Sequence, residues 1–266
     1  MRRNAIGIIT SRGCPNDCIY CTVKGVWGRT WRGKSAKRTV DEIEQLNKMG
    51  YDEFSFLDDS VSTDRKRWED ICDEIIKRKL NIRWSTPNGI AHWTLDRNIL
   101  RKMKRAGCYR ITLGIESGCQ RVREFIGKSY PLSQAKEVIR YANRLGIWTI
   151  ATTIIGFPGE TRKQMLDTLK FVKSSGVDFA TFYLLDVYPT ADISRYKVDL
   201  TLAKEMQFKF YRSFIIHRAL RAWNIVFKIR SLEDLRYTLK LLINGLKIFA
   251  GMFYKTTTKD LLYGRT

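Results

Sequence analysis

Up to about residue 190, short β-prone runs alternate with stretches whose apolar residues recur at helical spacing. The runs cover residues 6–11, 53–58, 82–86, 110–115, 148–155 and 180–187. Between them, Val40, Ile43 and Leu46, and then Trp68, Ile71, Ile75 and Ile76, fall on one face of a helix. Ser133 precedes a helical stretch at 135–145 that Gly146 closes, and Thr161 precedes another at 165–173 with Gly176 beyond it. Alternation of this kind predicts parallel strands joined by crossover helices. A complete eight-unit barrel takes about 250 residues, whereas these units finish near residue 187. The expected fold is therefore α/β, an open partial (β/α)6 TIM-like barrel over residues 1–192.

The pattern then changes. Residues 200–254 read as two long strand-free stretches broken at Arg230 and Ser231, where Ser231 and Asp234 can form a helix cap. Arg218, Arg221 and Lys228 share a sector of roughly 80° on helical geometry, opposite Ile215, Ile216, Ala219, Trp223 and Val226. Arg236, Lys240 and Lys247 fall within roughly 40° of one another, beside Leu235, Leu239, Leu242 and Leu246. A basic amphipathic helical appendage is expected, followed by a polar, flexible tail at 255–266. An apolar arc first implies packing, here across the open side of the barrel. The sharper alternative is attachment to an anionic membrane surface, which would suit a lipid-like or other apolar substrate.

Charge bears on that choice. The chain carries 48 Lys and Arg against 27 Asp and Glu, a net charge of +21, which attracts phosphates, anionic headgroups and acidic partners. Nucleic acid ranks low among them, because the cations are spread along the whole chain and no RNA-binding module is recognisable. The N-terminal ten residues have too short an apolar stretch for a signal peptide. The longest uncharged run, 145–159, falls short of the roughly 20 residues that a spanning helix needs. A cytoplasmic location is expected, at the inner membrane face if the appendage binds there.

Three of the six cysteines lie within eight residues, in Gly-Cys14-Pro-Asn-Asp-Cys18-Ile-Tyr20-Cys21, spaced CxxxCxxC directly after the first strand. Soft thiolates on so short a loop suit an iron-sulfur site with one iron left open, and strand C-terminal ends are where parallel barrels place their chemistry. A structural zinc site would need a fourth ligand, and Cys72, His92, Cys108 and Cys119 lack metal-site spacing. A redox disulfide between Cys18 and Cys21 would leave Cys14 unexplained. No cysteine follows Cys119, so a second cluster is not expected in the C-terminal part.

This motif, together with the segments downstream of it, resembles the radical S-adenosylmethionine (SAM) superfamily over about residues 6–190, in particular the class that often carries a cobalamin-binding domain. The resemblance implies that Cys14, Cys18 and Cys21 ligate three irons of a [4Fe-4S] cluster, with Tyr20 beside it. SAM would chelate the fourth iron through its amino and carboxylate groups. An electron from a donor such as flavodoxin or ferredoxin then cleaves SAM to methionine and a 5'-deoxyadenosyl radical that attacks an organic substrate, by methylation or rearrangement. Asp58 and Asp59 resemble the position that meets the SAM amino group, though two acids before Ser60 could equally cap the next helix. Glu116 and Ser117, in Gly114-Ile-Glu-Ser-Gly118, resemble the segment reaching the ribose and methionine portion, with a strand-to-helix cap as the plain alternative. Ile154, Gly156, Pro158 and Gly159 resemble the adenine-contacting turn, with Thr152 in place of its first glycine.

Many such relatives place a cobalamin domain ahead of the barrel, and this sequence opens on its first strand. Cobalamin is then unused, supplied by a separate cobalamin-binding chain, or carried on a part of which this chain is a fragment. A different class also stays open: a catalytically degenerate iron-sulfur protein acting in electron transfer, in sensing or as a partner subunit.

Overall fold

The computed structural model describes residues 4–221 and, beyond them, residues 229, 232, 235, 236, 238, 239 and 243. The chain divides into two compact units, Met1–Gln207 and Phe208–Thr266. In chain order the strands are β1 (Ala5–Ile8), β2 (Ser11–Arg12), β3 (Arg32–Gly33), β4 (Glu53–Phe56), β5 (Arg83–Thr86), β6 (Cys108–Glu116), β7 (Trp148–Ile155) and β8 (Phe179–Leu184). The α-helices are α1 (Val23–Trp27), α2 (Ala36–Lys48), α3 (Arg65–Lys77), α4 (Arg97–Arg105), α5 (Gln120–Phe125), α6 (Leu132–Arg144), α7 (Arg162–Ser175) and α8 (Thr201–Ala219).

Six strands form one sheet in the order β1-β4-β5-β6-β7-β8, and every neighbouring pair is parallel. Sequential order with a crossover between each pair is the (β/α) winding that the alternation predicts. Start and stop signals act locally. Thr161 and Gln164 close a reciprocal capping box on α7, and Gly176 ends it in the left-handed region at φ 84°. Pro131, and not Ser133, stands at the N-cap of α6, without a side-chain hydrogen bond. The helix of the third unit is α4, capped by Asp96 through the amides of Asn98 and Ile99.

The core is aromatic beneath the first units. Phe56, Trp68 and Trp84 are each at most 1% exposed and meet edge to face, with ring centroids 5.1 to 5.3 Å apart. Such pairs add about 0.5–1.5 kcal/mol each beyond burial. Trp84 Nε1 donates to the Ala106 carbonyl at 2.7 Å, which ties β5 to the turn before β6. That turn depends on Gly107, whose φ is +96° and whose added Cβ would lie 2.2 Å from the Ile82 carbonyl oxygen. Gly107→Ala is expected to cost on the order of 3 kcal/mol, seen as a lower urea midpoint at unchanged m value.

The second and sixth strands end earlier than expected, at Phe56 and Leu184, and two further departures shape the site. The first strand is expected over 6–11, but it leaves the sheet after Ile8, and Ser11–Arg12 pairs antiparallel with Arg32–Gly33 instead. Thr10 and Ser11 are drawn off the sheet by hydrogen bonds to Asp58, a reason that no periodicity contains. The fourth strand starts two residues earlier than expected, at Cys108, and its register against β7 shifts by one residue between Gly114 and Glu116.

In the second unit α8 ends at Ala219, and residues 232, 235, 236, 238, 239 and 243 are helical. The expected break at Arg230 and Ser231, the cap residue Asp234, the positions Trp223, Val226, Lys228, Lys240, Leu242, Leu246 and Lys247, and the tail 255–266 lie outside the described residues. Among the described residues no helix is long and apolar enough to cross a membrane.

Candidate active site

The cysteine loop is a closed structure. The antiparallel pair Ser11–Gly33 and Arg12–Arg32 draws its two ends together, and a buried polar network fastens that pair to the barrel. Asp58, 1% exposed, accepts at Oδ1 from the Thr10 amide at 3.2 Å, the Thr10 hydroxyl at 2.8 Å and the Ser11 hydroxyl. Arg67, from α3, donates to the Thr10 carbonyl at 3.0 Å, to Thr10 Oγ1 at 2.8 Å and to the Lys34 carbonyl. The Thr10 hydroxyl thus bridges a buried anion and a buried cation. Desolvation holds the Arg67 guanidinium below its usual pKa, and Asp58 opposes that shift. Neither Asp58 nor Asp59 caps the following helix, since Asp64 caps α3 by accepting from the Arg67 amide.

Cys14, Cys18 and Cys21 line one pocket with Tyr20, Asp59, Trp93, Gly114, Glu116, Lys128 and Thr152. Gly114 and Glu116 are two apart on β6, and Gly114 is the register partner of Thr152 on β7. Ile111, Leu113 and Ile115 alternate with them and are at most 1% exposed. The pocket therefore opens at the C-terminal ends of the strands. Asp59 Oδ2 accepts the Gly13 amide at 2.8 Å, joining the end of β4 to the start of the loop. Asn16 Nδ2 donates to Cys14 Sγ at 3.2 Å and its Oδ1 accepts from the Tyr130 hydroxyl, whose ring stacks on Trp93 at 3.7 Å.

Glu116 sits at φ +60°, an uncommon backbone state for a non-glycine residue. Its Oε1 receives Lys128 Nζ at 2.7 Å, with both side chains largely buried. Burial works most strongly against the Lys128 charge, but Glu116 and the neighbouring cysteines together outweigh it and leave the ammonium pKa raised. Burial also pushes the Cys18 thiol up to about 11 and raises Cys21. The Tyr20 hydroxyl lies well above its usual range through burial, with the Glu116 carboxylate adding to the shift. A ring-edge contact of 5.8 Å joins Tyr20 to Phe157.

The model of the Radical SAM superfamily matches residues 8–172. The chain belongs to the radical SAM superfamily. An uncharacterized methyltransferase of Pyrococcus horikoshii is 34% identical over 205 residues, which cover 77% of this chain and 44% of that protein. The anaerobic magnesium-protoporphyrin IX monomethyl ester cyclase of Rubrivivax gelatinosus is 30% identical, covering 69% of this chain and 33% of its own length. Among solved structures, the radical SAM methyltransferase TsrM from Kitasatospora setae, with tryptophan and a SAM analogue bound, superposes at TM-score 0.66. That match is 20% identical and covers 71% of this chain and 37% of TsrM, so it shows the partial-barrel fold. This chain spans less than half the length of each of these proteins.

Of the positions resembling radical SAM motifs, the structure brings the three cysteines, Tyr20, Asp59 and Glu116 into one wall. Asp58 lies beneath the loop, outside that wall. Ser117 is fully buried and its hydroxyl accepts the Cys119 amide at 3.1 Å and pairs with Thr168, a packing role at the start of α5. Ile154 packs with Tyr20 and Phe157 in an apolar cluster. Gly156, at φ +93°, leaves room for Leu200 and Ala203, and Pro158 and Gly159 continue the turn outside the pocket wall. Cys72 and Cys108 are buried in the packing, and His92 is 3% exposed with its ring edge-on to Trp93.

Lys128, Trp93 and Tyr130 carry no motif, and nothing local in the sequence marks them, while Asn16 lies within the cysteine motif as one of its unspecified positions. Lys128 reaches Glu116 because Gly127, at φ +73°, lets the chain after α5 run against the Asp17 carbonyl of the cysteine loop. Only that close approach reveals it.

Glu160 closes the turn that begins at Gly156. Its Oε2 accepts the amides of Gly156 at 2.8 Å and Phe157 at 3.2 Å, and its Oε1 has no partner among the described residues. Burial outweighs those two bonds and raises its pKa from 4.5 to about 7. A carboxyl with a raised folded pKa contributes stability below its unfolded pKa and loses it as pH rises through the folded value. Between pH 4.5 and about 7 the protein is expected to lose on the order of 3 kcal/mol relative to Glu160→Gln. Urea midpoints of both proteins across that range check it; parallel curves would refute it.

Proposed function

We propose that Cys14, Cys18 and Cys21 hold three irons of a [4Fe-4S] cluster, and that the pocket beside them takes SAM for reductive cleavage and radical modification of an organic substrate. The observation that carries this reading is the sharing of one pocket by three thiols, a carboxylate at the end of β4 and the Glu116–Lys128 pair. The donor set fits. Among the described residues no three His, Cys, Asp or Glu side chains converge as a single ion requires. A cubane asks less, since each sulfur takes its own iron. Bound there, the cluster would supply the electron that breaks a carbon-sulfur bond of SAM.

This chain's own residues do the holding. Asp59 presents a carboxylate to the SAM ammonium, and Lys128 presents an ammonium to the SAM carboxylate while Glu116 keeps it charged. Trp93 and Thr152 complete the wall and exclude water. The turn at Gly156 to Glu160 backs Tyr20 through Phe157 and supports the adenine side. Methyl transfer and ring closure are the outcomes that the relatives suggest. The test is anaerobic reconstitution with iron and sulfide, reduction with dithionite, and assay of 5'-deoxyadenosine with SAM. A reduced cubane signal with bound SAM but no 5'-deoxyadenosine would favour the catalytically degenerate alternative; no cubane signal would remove both.

One observation favours a membrane-facing role for the second unit. Leu232, Leu235, Leu239 and Ile243 are helical and 40 to 77% exposed, with exposed Arg236 among them. An exposed apolar stripe beside a cation suits an anionic bilayer surface and a lipid-like substrate. The full chain is expected to sediment with phosphatidylglycerol vesicles and not with phosphatidylcholine vesicles; equal binding to both would sink this reading.

A further inference from the structure

A second concavity, of about 500 Å³, is lined by residues 9–12, 32–34 and 38 and shares no residue with the cysteine pocket. Arg12, Arg32 and Arg38 are exposed on its rim, and no acid lines it. Lys34 is neutralised by Glu42, whereas none of the three arginines has a carboxylate partner among the described residues. Two of them share the Trp27 ring, with the Arg12 and Arg32 guanidiniums 5.3 and 5.8 Å from its centroid. Such stacking fixes long side chains that would otherwise lose entropy on binding.

The floor is rigid. Thr10 receives the Lys34 amide at 2.9 Å and is pinned from below by Asp58 and Arg67. Pre-ordered cations on a fixed ribbon, with no compensating acid, form a surface shaped for an acidic partner. Its placement indicates which one. Arg12 and Arg32 face each other in the two strands that close the cysteine loop, and Arg12 lies two residues ahead of Cys14. A partner seated here touches the loop from outside and leaves the pocket open to substrate.

We propose that this arginine ribbon is the docking surface for an acidic one-electron carrier protein that reduces the cluster. The proposal rests on the cluster reading above. In the transfer, the anionic hydroquinone of a flavin carrier gives up one electron to become the neutral semiquinone, and the oxidised cluster on the cysteine loop gains it. No bond forms or breaks, and no proton moves.

The test compares two full-length triple variants of equal net charge. Arg12→Glu with Arg32→Glu and Arg38→Glu reverses the ribbon, while Arg140→Glu with Lys163→Glu and Lys170→Glu reverses exposed cations on α6 and α7. An acidic flavodoxin is the probe, with its Kd measured by calorimetry at low salt and cluster reduction followed by electron paramagnetic resonance. The ribbon variant is expected to bind about tenfold more weakly or worse and to be reduced more slowly by flavodoxin hydroquinone. Reduction by dithionite stays as in the wild type. The α6 and α7 variant is expected to match the wild type in both. Equal weakening in the two variants, or weakening in neither, overturns the proposal. So does loss of single-stranded RNA binding in the ribbon variant with flavodoxin binding unchanged. Arg→Gln replacements at the same three positions remove the charge while keeping a long side chain, and repeat the comparison should the reversed ribbon not fold. A wild type that dithionite leaves without a cubane signal fails the cluster reading alone, since the calorimetric comparison needs no reduction.

Discussion

Cys18→Ala, reconstituted anaerobically, is expected to fall from about four irons per chain to background and to form no detectable 5'-deoxyadenosine. Cys18 is half-buried, its Sγ has only a long 3.9 Å contact with the Gly127 carbonyl, and it is not part of the apolar cluster that takes in Ile19 and Tyr20. Its removal should therefore change stability by less than about 1 kcal/mol. The large effect falls on iron and the small one on folding, and this contrast separates a ligand from a packing residue. Cys72→Ala is the matched control: Cys72 is fully buried in α3, so its loss should lower the urea midpoint and leave iron content intact. Iron and sulfide analysis with a denaturation curve for each variant checks both halves. Full iron loading in Cys18→Ala would end the cluster assignment.

Asp58→Ala is expected to show the opposite profile, destabilising the chain by about 3–5 kcal/mol, the cost of breaking a buried charge network by removing one member. Three donors, the Thr10 amide and the hydroxyls of Thr10 and Ser11, would lose their acceptor inside the protein. Arg67, 7% exposed, would lose the anion that balances it across Thr10. Arg67→Met should destabilise as well, and the double variant should cost less than the sum, because the two residues serve one network. A strictly additive double variant, or an Asp58→Ala chain as stable as wild type, would show that the ribbon does not depend on this network. The same pair of measurements bears on the choice between adjacent carboxylates. Asp59 lines the pocket, so SAM affinity should fall with Asp59→Ala at a far smaller cost in stability.

Tyr20 and Glu116 show how far motif reading reaches. Resemblance puts each of them at the cofactor, and each lies in the pocket wall; the upward push of the Glu116 carboxylate on the Tyr20 hydroxyl and the φ of +60° at Glu116 belong to the assembled site alone. Thr152 stands out in the sequence only as a missing glycine, yet it faces the pocket from β7. The turn at Gly156 resembles one that lies close to a ligand, and the structure gives its glycine a second reason, the approach of Leu200 and Ala203.

By itself the amino-acid sequence determined the strand-helix alternation, the cap and stop of α7 and the crowding of three sulfurs on one short loop. These depend on residues a few positions apart, where helix pitch, strand pleat and turn chemistry act directly on the chain. The tertiary structure alone decided that Asp58 anchors while Asp59 lines the pocket, that Lys128 meets Glu116, and that Ser11–Arg12 folds against Arg32–Gly33. Those outcomes hang on partners as far as 48 residues apart, the separation of Thr10 from Asp58. A buried charge must find whichever partner the packed chain brings to it, and no local periodicity encodes which one that will be.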